Sequence, residues 1–301
     1  QSCKRNRLKT DTLTIDFRNR SIYFRQIWWA LNSLSPIVHA KGTEYFVNEN
    51  HRHRLREVLT DLDKRDEISS HFKAQPFLPL GKYFETLVHY AIQVDSYFNL
   101  VLKNHPVYQE KITTGEIDLI IKRSNNQMLE HWEIALKFYL QHAPNDANQL
   151  IGPTGNDTLA SKLHKLESKQ LPLGQHPSVI EVVGSTPTSK LFLKGIFFHH
   201  FDSTLQLENA NPNAKSGWWI YESELKNLES INTEGWSILQ KSDWIGPSLR
   251  KKAPDFDLPR LTKHFSNSND LDHRGICIAG YKEESGTFIE STRGFVMRGS
   301  N

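Results

Sequence analysis

The chain has 301 residues, of which 38% are hydrophobic and 24% are charged, and its formal net charge is +3. This composition excludes an intrinsically disordered polymer and a collagen-like or repeat-rich fibre. The net charge is too small to identify a nucleic-acid partner, since only clustered basic residues would indicate phosphate binding.

The two cysteines, Cys3 and Cys277, are too few for a disulfide framework or a zinc ligand set. No stretch approaches about 18 consecutive apolar residues, which a transmembrane helix would need. The basic N-terminus is not followed by the apolar segment of a signal peptide. We therefore expect a cytoplasmic protein without a membrane partner.

Hydrophobic periodicity predicts an α/β protein. Residues 1–80 are predicted to be a helical region, residues 81–205 the core, and residues 206–301 an α+β extension packed on that core. The predicted elements are helices over 22–34, 51–66 and 81–94, strands over 115–122 and 129–140, a helix over 158–170, strands over 178–183 and 190–199, and a final strand hairpin over 287–297.

Three acids and a lysine are spaced so that this fold could bring them together. Glu85 lies on the helix over 81–94, Asp118 on the first strand, and Glu133 and Lys137 on one face of the second. Close carboxylates repel each other unless a cation lies between them, and oxygen ligands favour Mg²⁺ or Mn²⁺. Spacing alone leaves a second interpretation open, in which all four are ordinary charges at strand and helix edges.

Several segments of the chain resemble the PD-(D/E)XK nuclease superfamily and, within it, a bacterial family known only as domain of unknown function number 1853. The segments that carry this resemblance are GKYFETLVHYAI (81–92), GEIDLII (115–121), HWEIALKFYL (131–140), IGPTGNDTLASKLHKL (151–166), LKGIFF (193–198), SGWWI (216–220) and RGFVM (293–297). The resemblance implies a restriction-endonuclease-like core, with a mixed central sheet flanked by helices. It also implies a metal site made by Asp118, Glu133 and Glu85.

The lysine departs from the superfamily pattern. Ala135 stands two residues after Glu133, where the superfamily has lysine, and Lys137 is two residues further along the same strand face. Lys162 on the following helix is the other candidate for a displaced lysine. This departure brings catalytic competence into question, but not the fold.

Other residues admit a functional and a structural interpretation. His131 shares the face of Glu133 and could contact a phosphate, although a hydrogen-bonded histidine is the simpler interpretation. Lys162, Lys165 and Lys169 form a stripe that could follow a nucleic-acid backbone or simply face solvent. For His199-His200 and Trp218-Trp219 the structural interpretation is favoured over metal binding and base stacking.

These patterns lead to one main functional hypothesis. We expect a metal-dependent nuclease that uses Mg²⁺ (or Mn²⁺) bound by Glu85, Asp118 and Glu133 to hydrolyse DNA, with Lys137 positioning the attacking water. The alternative is a catalytically inactive relative that binds nucleic acid or a protein. A protein partner or homo-oligomer stays open.

Overall fold

The computed structural model describes residues 17–124, 127–267 and 275–299. Cys3 and the basic N-terminus lie outside these ranges. The α-helices of the described residues are α1 (Ile22–Asn32), α2 (Glu49–Lys64), α3 (Glu67–Lys73), α4 (Leu80–Val94), α5 (Leu159–Lys165), α6 (Pro177–Val183) and α7 (Leu258–Asn267). The strands are β1 (Phe98–Gln109), β2 (Ile112–Arg123), β3 (Leu129–Gln141), β4 (Leu150–Ile151), β5 (Thr188–His200), β6 (Ser216–Tyr221), β7 (Gly235–Ile238), β8 (Leu249–Arg250), β9 (Ile276–Glu284) and β10 (Thr287–Met297).

The strands form one large mixed sheet. Their order is β1-β2-β3-β5-β6-β10-β9-β7, with β4 paired to β3 and β8 paired to β10. The central pairs β3/β5, β5/β6 and β6/β10 are parallel, and the outer pairs are antiparallel. Because β6 and β10 continue the sheet from β5, the sheet runs across the boundary predicted near residue 205.

Helices cover both faces of the sheet around β2 and β3. On one face, α1 and α4 pack on Leu119, Trp132 and Ile134. On the other face, α5 and the turns that follow it contribute Leu159, Leu166 and Leu171 to a second core. Alternation along β3 therefore directs Glu133, between Trp132 and Ile134, towards the α5 side.

Local sequence signals fix the ends of the helices that matter for the site. Ser21 caps α1 by accepting a hydrogen bond from the Phe24 amide, at 3.1 Å. Thr158 and Ser161 form a reciprocal capping box at the start of α5. Beyond α5, Leu166–Gln170 form a π-helical turn and Leu171–Gln175 a 3₁₀ turn.

Most predicted elements are confirmed within one to three residues at their ends. The helix predicted over 158–170 is α-helical only to Lys165, and the hairpin predicted over 287–297 is wrong, because these residues form the single strand β10, paired with β9. The strand predicted over 178–183 is wrong, because Pro177–Val183 form helix α6, capped by His176 and ended by Gly184 at a φ of 83°. Val179 is buried and Val182 is 57% exposed, so these β-branched residues follow a helical pattern of burial.

The two adjacent tryptophans of β6 lie inside the protein. Trp218 and Trp219 are buried in the cores around β6, and the Trp218 indole donates to Thr292 Oγ1 at 2.8 Å. This agrees with a packing role. Among the described residues, no helix is both long and apolar enough to cross a membrane.

Candidate active site

The site lies where the ladder between β2 and β3 ends. Leu119 pairs with Trp132, so Asp118 and Glu133 are the next residues opposite each other in this antiparallel register. The Ile134 amide donates instead to Asp118 Oδ2, at 2.9 Å. The two carboxylates thus come from adjacent strands and share one face of the sheet.

Asp118 is 7% exposed. Burial raises the pKa of its carboxyl to about 6, and Glu85 adds to this rise, whereas the hydrogen bond from Ile134 and the charges of Lys82 and Lys162 oppose it. A carboxyl with a pKa of about 6 changes its protonation close to neutral pH, as groups at functional sites often do.

Glu133 is 2% exposed, and its two oxygens have different surroundings. Oε1 accepts a hydrogen bond from Gln170 Nε2, whereas Oε2 is a buried atom for which the described residues offer no hydrogen-bond partner. Burial raises the pKa of Glu133 to about 8, and the negative charge of Asp118 raises it further, against the opposing charge of Lys162. An unpartnered oxygen beside a second carboxylate is where a cation would relieve both repulsion and desolvation.

Lys162 reaches the acidic pair from α5. Its Nζ lies 4.0 Å from Glu133 Oε1 and donates to Gln170 Oε1 at 2.9 Å. Gln170 therefore bridges the lysine and the glutamate with the two ends of its amide. Burial lowers the pKa of Lys162 even though Glu133 and Asp118 attract its charge, so desolvation outweighs that attraction.

Glu85 approaches from α4 but is held by a different partner. Lys82 Nζ lies 2.8 Å from Glu85 Oε2 and 3.2 Å from Glu116 Oε1. Burial raises the pKa of Glu85, and Lys82 opposes that rise. Among the described residues, no three histidine, cysteine, aspartate or glutamate side chains are grouped closely enough to hold a metal ion. The three predicted ligands are therefore near enough to influence each other electrostatically, but they do not form a ready three-ligand set.

Two carboxylates are nevertheless compatible with magnesium. Mg²⁺ keeps several of its waters and is commonly bound through one or two carboxylates together with substrate phosphates. The buried Glu133 Oε2 without a partner and the adjacent Asp118 fit such an ion. Asp118 and Glu133 are thus the residues that would hold it, with Glu85 adding negative charge.

Lys137 is placed differently from the sequence prediction. Its Nζ lies 2.5 Å from Asp157 Oδ2, and the Tyr139 hydroxyl donates to the same oxygen at 2.9 Å. The Lys137 ammonium is engaged by Asp157, and Lys162 is the lysine beside Glu133. That Lys137 positions water at the acids therefore stays a prediction, and Lys162, 4.0 Å from Glu133 Oε1, is the other candidate lysine.

The other predicted nucleic-acid contacts divide by exposure. His131 is completely buried, with its Nδ1 3.4 Å from Ser189 Oγ, and burial lowers its pKa to about 4. It is covered by Gly174, where a Cβ atom would come within 2.8 Å of the ring. This packing favours the structural interpretation of His131, and its phosphate contact stays a prediction. Lys165 and Lys169 are exposed and stay predicted contacts.

Sequence reasoning missed Gln170 and Asp157. Gln170 connects the acid to the lysine, and Asp157 holds Lys137 away from it. Nothing in the sequence pattern distinguishes Gln170 from an ordinary surface glutamine. The π-helical turn that directs it inward cannot be recognised from the sequence either, although such turns are frequent at functional sites.

Fold and site together define a mixed α/β protein with a buried pair of carboxylates on adjacent strands. Within that class, the chain belongs to the family described as Domain of unknown function (DUF1853), whose model matches residues 25–297. No curated protein and no solved structure matches the chain.

Proposed function

We propose that the protein is a metal-dependent nuclease of the restriction-endonuclease-like class, which hydrolyses phosphodiester bonds of DNA. The observation that carries the proposal is the buried pair Asp118 and Glu133, with Glu133 Oε2 unpartnered and Lys162 Nζ 4.0 Å from Oε1. A structural salt bridge does not need two facing buried acids, whereas a cation between two such acids would relieve their mutual repulsion.

Each residue of the candidate site has a proposed role that follows from its position. Asp118 and Glu133 hold Mg²⁺ or Mn²⁺, and Glu85 adds negative charge nearby. Lys162 presents a positive charge to the scissile phosphate or the attacking water, and Gln170 fixes its direction relative to Glu133. A bound ion would polarise the phosphate and lower the pKa of a bound water.

The first experiment tests the acids. Purified protein is incubated with Mg²⁺ or Mn²⁺ on linear, circular and single-stranded DNA. We expect Asp118→Asn and Glu133→Gln to lower cleavage about 100-fold or more, because each removes a charge from the ion and the transition state. The matched control is Glu116→Gln, an acid on the same strand that is 45% exposed on its side chain and pairs with Lys82. Cleavage by Asp118→Asn at the wild-type rate would refute the proposal.

A second comparison separates the two lysines. Lys162→Met removes the ammonium beside Glu133, whereas Lys137→Met removes an ammonium bound to Asp157. We expect cleavage to fall about 100-fold in Lys162→Met and by less than about 10-fold in Lys137→Met. The reverse order would return the role to Lys137.

The alternative function is a catalytically inactive module that binds nucleic acid or a protein. It is favoured by the finding that the described residues hold no three-ligand metal group. Calorimetric titration with Mg²⁺ decides between the two. Metal binding that strengthens as the pH rises towards about 8, the pKa of Glu133, supports the nuclease, because the ion competes with the proton on this carboxyl. DNA binding without any metal binding supports the inactive module.

A further inference from the structure

Lys82 connects helix α4 to strand β2 beside the acidic pair. Lys82 and Glu85 lie three residues apart on α4, so their side chains share one face of the helix. The Lys82 Nζ atom lies 2.8 Å from Glu85 Oε2 and 3.2 Å from Glu116 Oε1. These three residues form the Lys82 bridge. Glu85 and Lys82 both act on the pKa of Asp118, in opposite directions, so the bridge adjoins the candidate ion site.

The two carboxylates of the Lys82 bridge have different surroundings. The side chain of Glu85 is 13% exposed, whereas that of Glu116 is 45% exposed. Burial raises the pKa of Glu85, and the hydrogen bond and charge of Lys82 oppose this rise. Glu116 and Lys162 also act on Glu85, with opposite signs. Lys82 is thus the cation that contacts this mostly buried carboxylate directly.

Lys82 is placed so that it can leave the bridge. Its side chain is 50% exposed, and an ammonium has three donors, of which the two carboxylates use two. Burial lowers the pKa of Lys82, but Glu85 and Glu116 more than offset this, so the side chain stays charged. Because partly exposed ion pairs are weak, such a lysine can exchange carboxylate oxygens for phosphate oxygens.

We propose that Lys82 is a positioning residue that keeps Glu85 out of the ion site until DNA is bound. Without DNA, the ammonium neutralises Glu85, and only Asp118 and Glu133 are available to an ion. A phosphate of the DNA backbone then replaces Glu85 as the partner of Lys82, and Glu85 becomes the third carboxylate of the site. This inference rests on the proposed function. It accounts for three predicted ligands that influence each other although the described residues contain no three-ligand group.

The first test is calorimetric titration with Mn²⁺, without DNA, of wild type, Lys82→Met, Glu85→Gln and the double variant. Lys82→Met is expected to bind Mn²⁺ about 3- to 5-fold more tightly than wild type, because it removes a partly exposed ion pair that competes with the ion. In the Glu85→Gln background the same change is expected to have an effect below about 2-fold. Lys82 also acts on Asp118 at longer range, and this double-mutant cycle separates that effect from the release of Glu85. An equal gain in both backgrounds would overturn the proposal.

The second test asks whether Lys82 contacts bound DNA. It uses fluorescence anisotropy of a labelled duplex in EDTA, which prevents metal-dependent cleavage. In Lys82→Met, the plot of log affinity against log salt is expected to be shallower by about 0.9, the contribution of one phosphate contact. The matched control Lys263→Met removes the same charge from an exposed position on α7 and is expected to keep the wild-type slope. An unchanged slope in Lys82→Met would contradict the exchange of partners.

The outcomes distinguish this inference from the proposed function. Mn²⁺ binding that is equally tight in wild type and Lys82→Met overturns the role of Lys82 and leaves the nuclease proposal standing. Absence of Mn²⁺ binding in all four proteins overturns both. Thermal unfolding shows whether each variant is folded, and Lys82→Gln replaces Lys82→Met if the latter is unstable.

Discussion

Glu133 is a buried carboxyl, and its burial makes the ionised form unfavourable. Its Oε2 atom is shielded from solvent and has no hydrogen-bond partner among the described residues. A lone buried anion would destabilise the protein, so the proton stays on this carboxyl up to a pKa of about 8.

This burial predicts how stability depends on pH. The folded pKa of Glu133 lies above its ordinary value of 4.5, so its stabilising contribution is complete below pH 4.5 and is lost as the pH rises to about 8. Glu133→Gln, which cannot ionise, should therefore lose less stability than wild type between pH 5 and pH 8. At pH 8, without metal, we expect it to be more stable by about 1–2 kcal/mol, or about 2–4 °C in Tm.

The measurement is thermal unfolding of both proteins across this pH range in EDTA. Glu116→Gln again serves as control, because this acid is partly exposed and paired with Lys82. If Tm depended on pH in the same way in Glu133→Gln and wild type, Glu133 would ionise normally and its charge would not destabilise the folded protein.

At the scale of elements, the pairing of β3 with β5 depends on one glycine. Gly195 pairs with Lys137 and has a φ of 148°, and a Cβ there would come within 1.7 Å of the Lys137 carbonyl oxygen. A larger residue would not adopt this positive φ without strain, and there is no room for its Cβ atom. Gly195 thus allows β5 to lie directly against the strand that carries Glu133.

We expect Gly195→Ala to lower the free energy of unfolding by roughly 3 kcal/mol, from backbone strain and overpacking together. The control is Gly81→Ala in the first turn of α4, where a Cβ would meet no atom within 4 Å. That change should be neutral or stabilising by up to about 1 kcal/mol. Urea unfolding measures both, and a Gly195→Ala protein as stable as wild type would contradict the backbone geometry.

Elements with a one-sided apolar pattern or a continuous apolar run, such as β5, could be predicted from sequence, whereas an exposed edge strand could not. The stripe in α4 and the alternation in β3 identified the elements that carry Glu85 and Glu133. Strand β1 gave no signal, because it is an edge strand, largely exposed, with Pro106 and two register shifts. The spacing of Asp118 and Glu133 allowed the two acids to meet, but it was the resemblance to a nuclease superfamily that selected them, because spacing alone left both interpretations open. The choice between Lys137 and Lys162 could not be predicted, since it depends on Asp157 and on the turn that places Gln170.

At the scale of the whole molecule, the continuous sheet couples the predicted core to the predicted C-terminal extension. β5 pairs with β6 along Phe197–His200, and β6 pairs with β10. The core around Phe138 and Phe198 is completed by Trp219 and Phe295. The extension is therefore a structural part of the sheet next to the site.

A chain that ends at residue 205 should consequently not fold. It would expose the edge of β5 and the apolar surface around Phe198, which is typical of aggregation-prone intermediates. We expect insoluble protein, or soluble protein without near-ultraviolet circular dichroism and without a cooperative thermal transition. A cooperative transition in the shortened chain would show that residues 1–205 fold independently of the C-terminal extension.

The position of β10 also has a consequence for synthesis on the ribosome. β6 ends at Tyr221, whereas its second partner does not begin until Thr287. At about 5–20 residues per second, roughly 3–13 s pass between the emergence of these two strands. During that interval the nascent chain carries an unpaired, apolar strand edge in Trp218–Ile220, which is the kind of segment that chaperones bind.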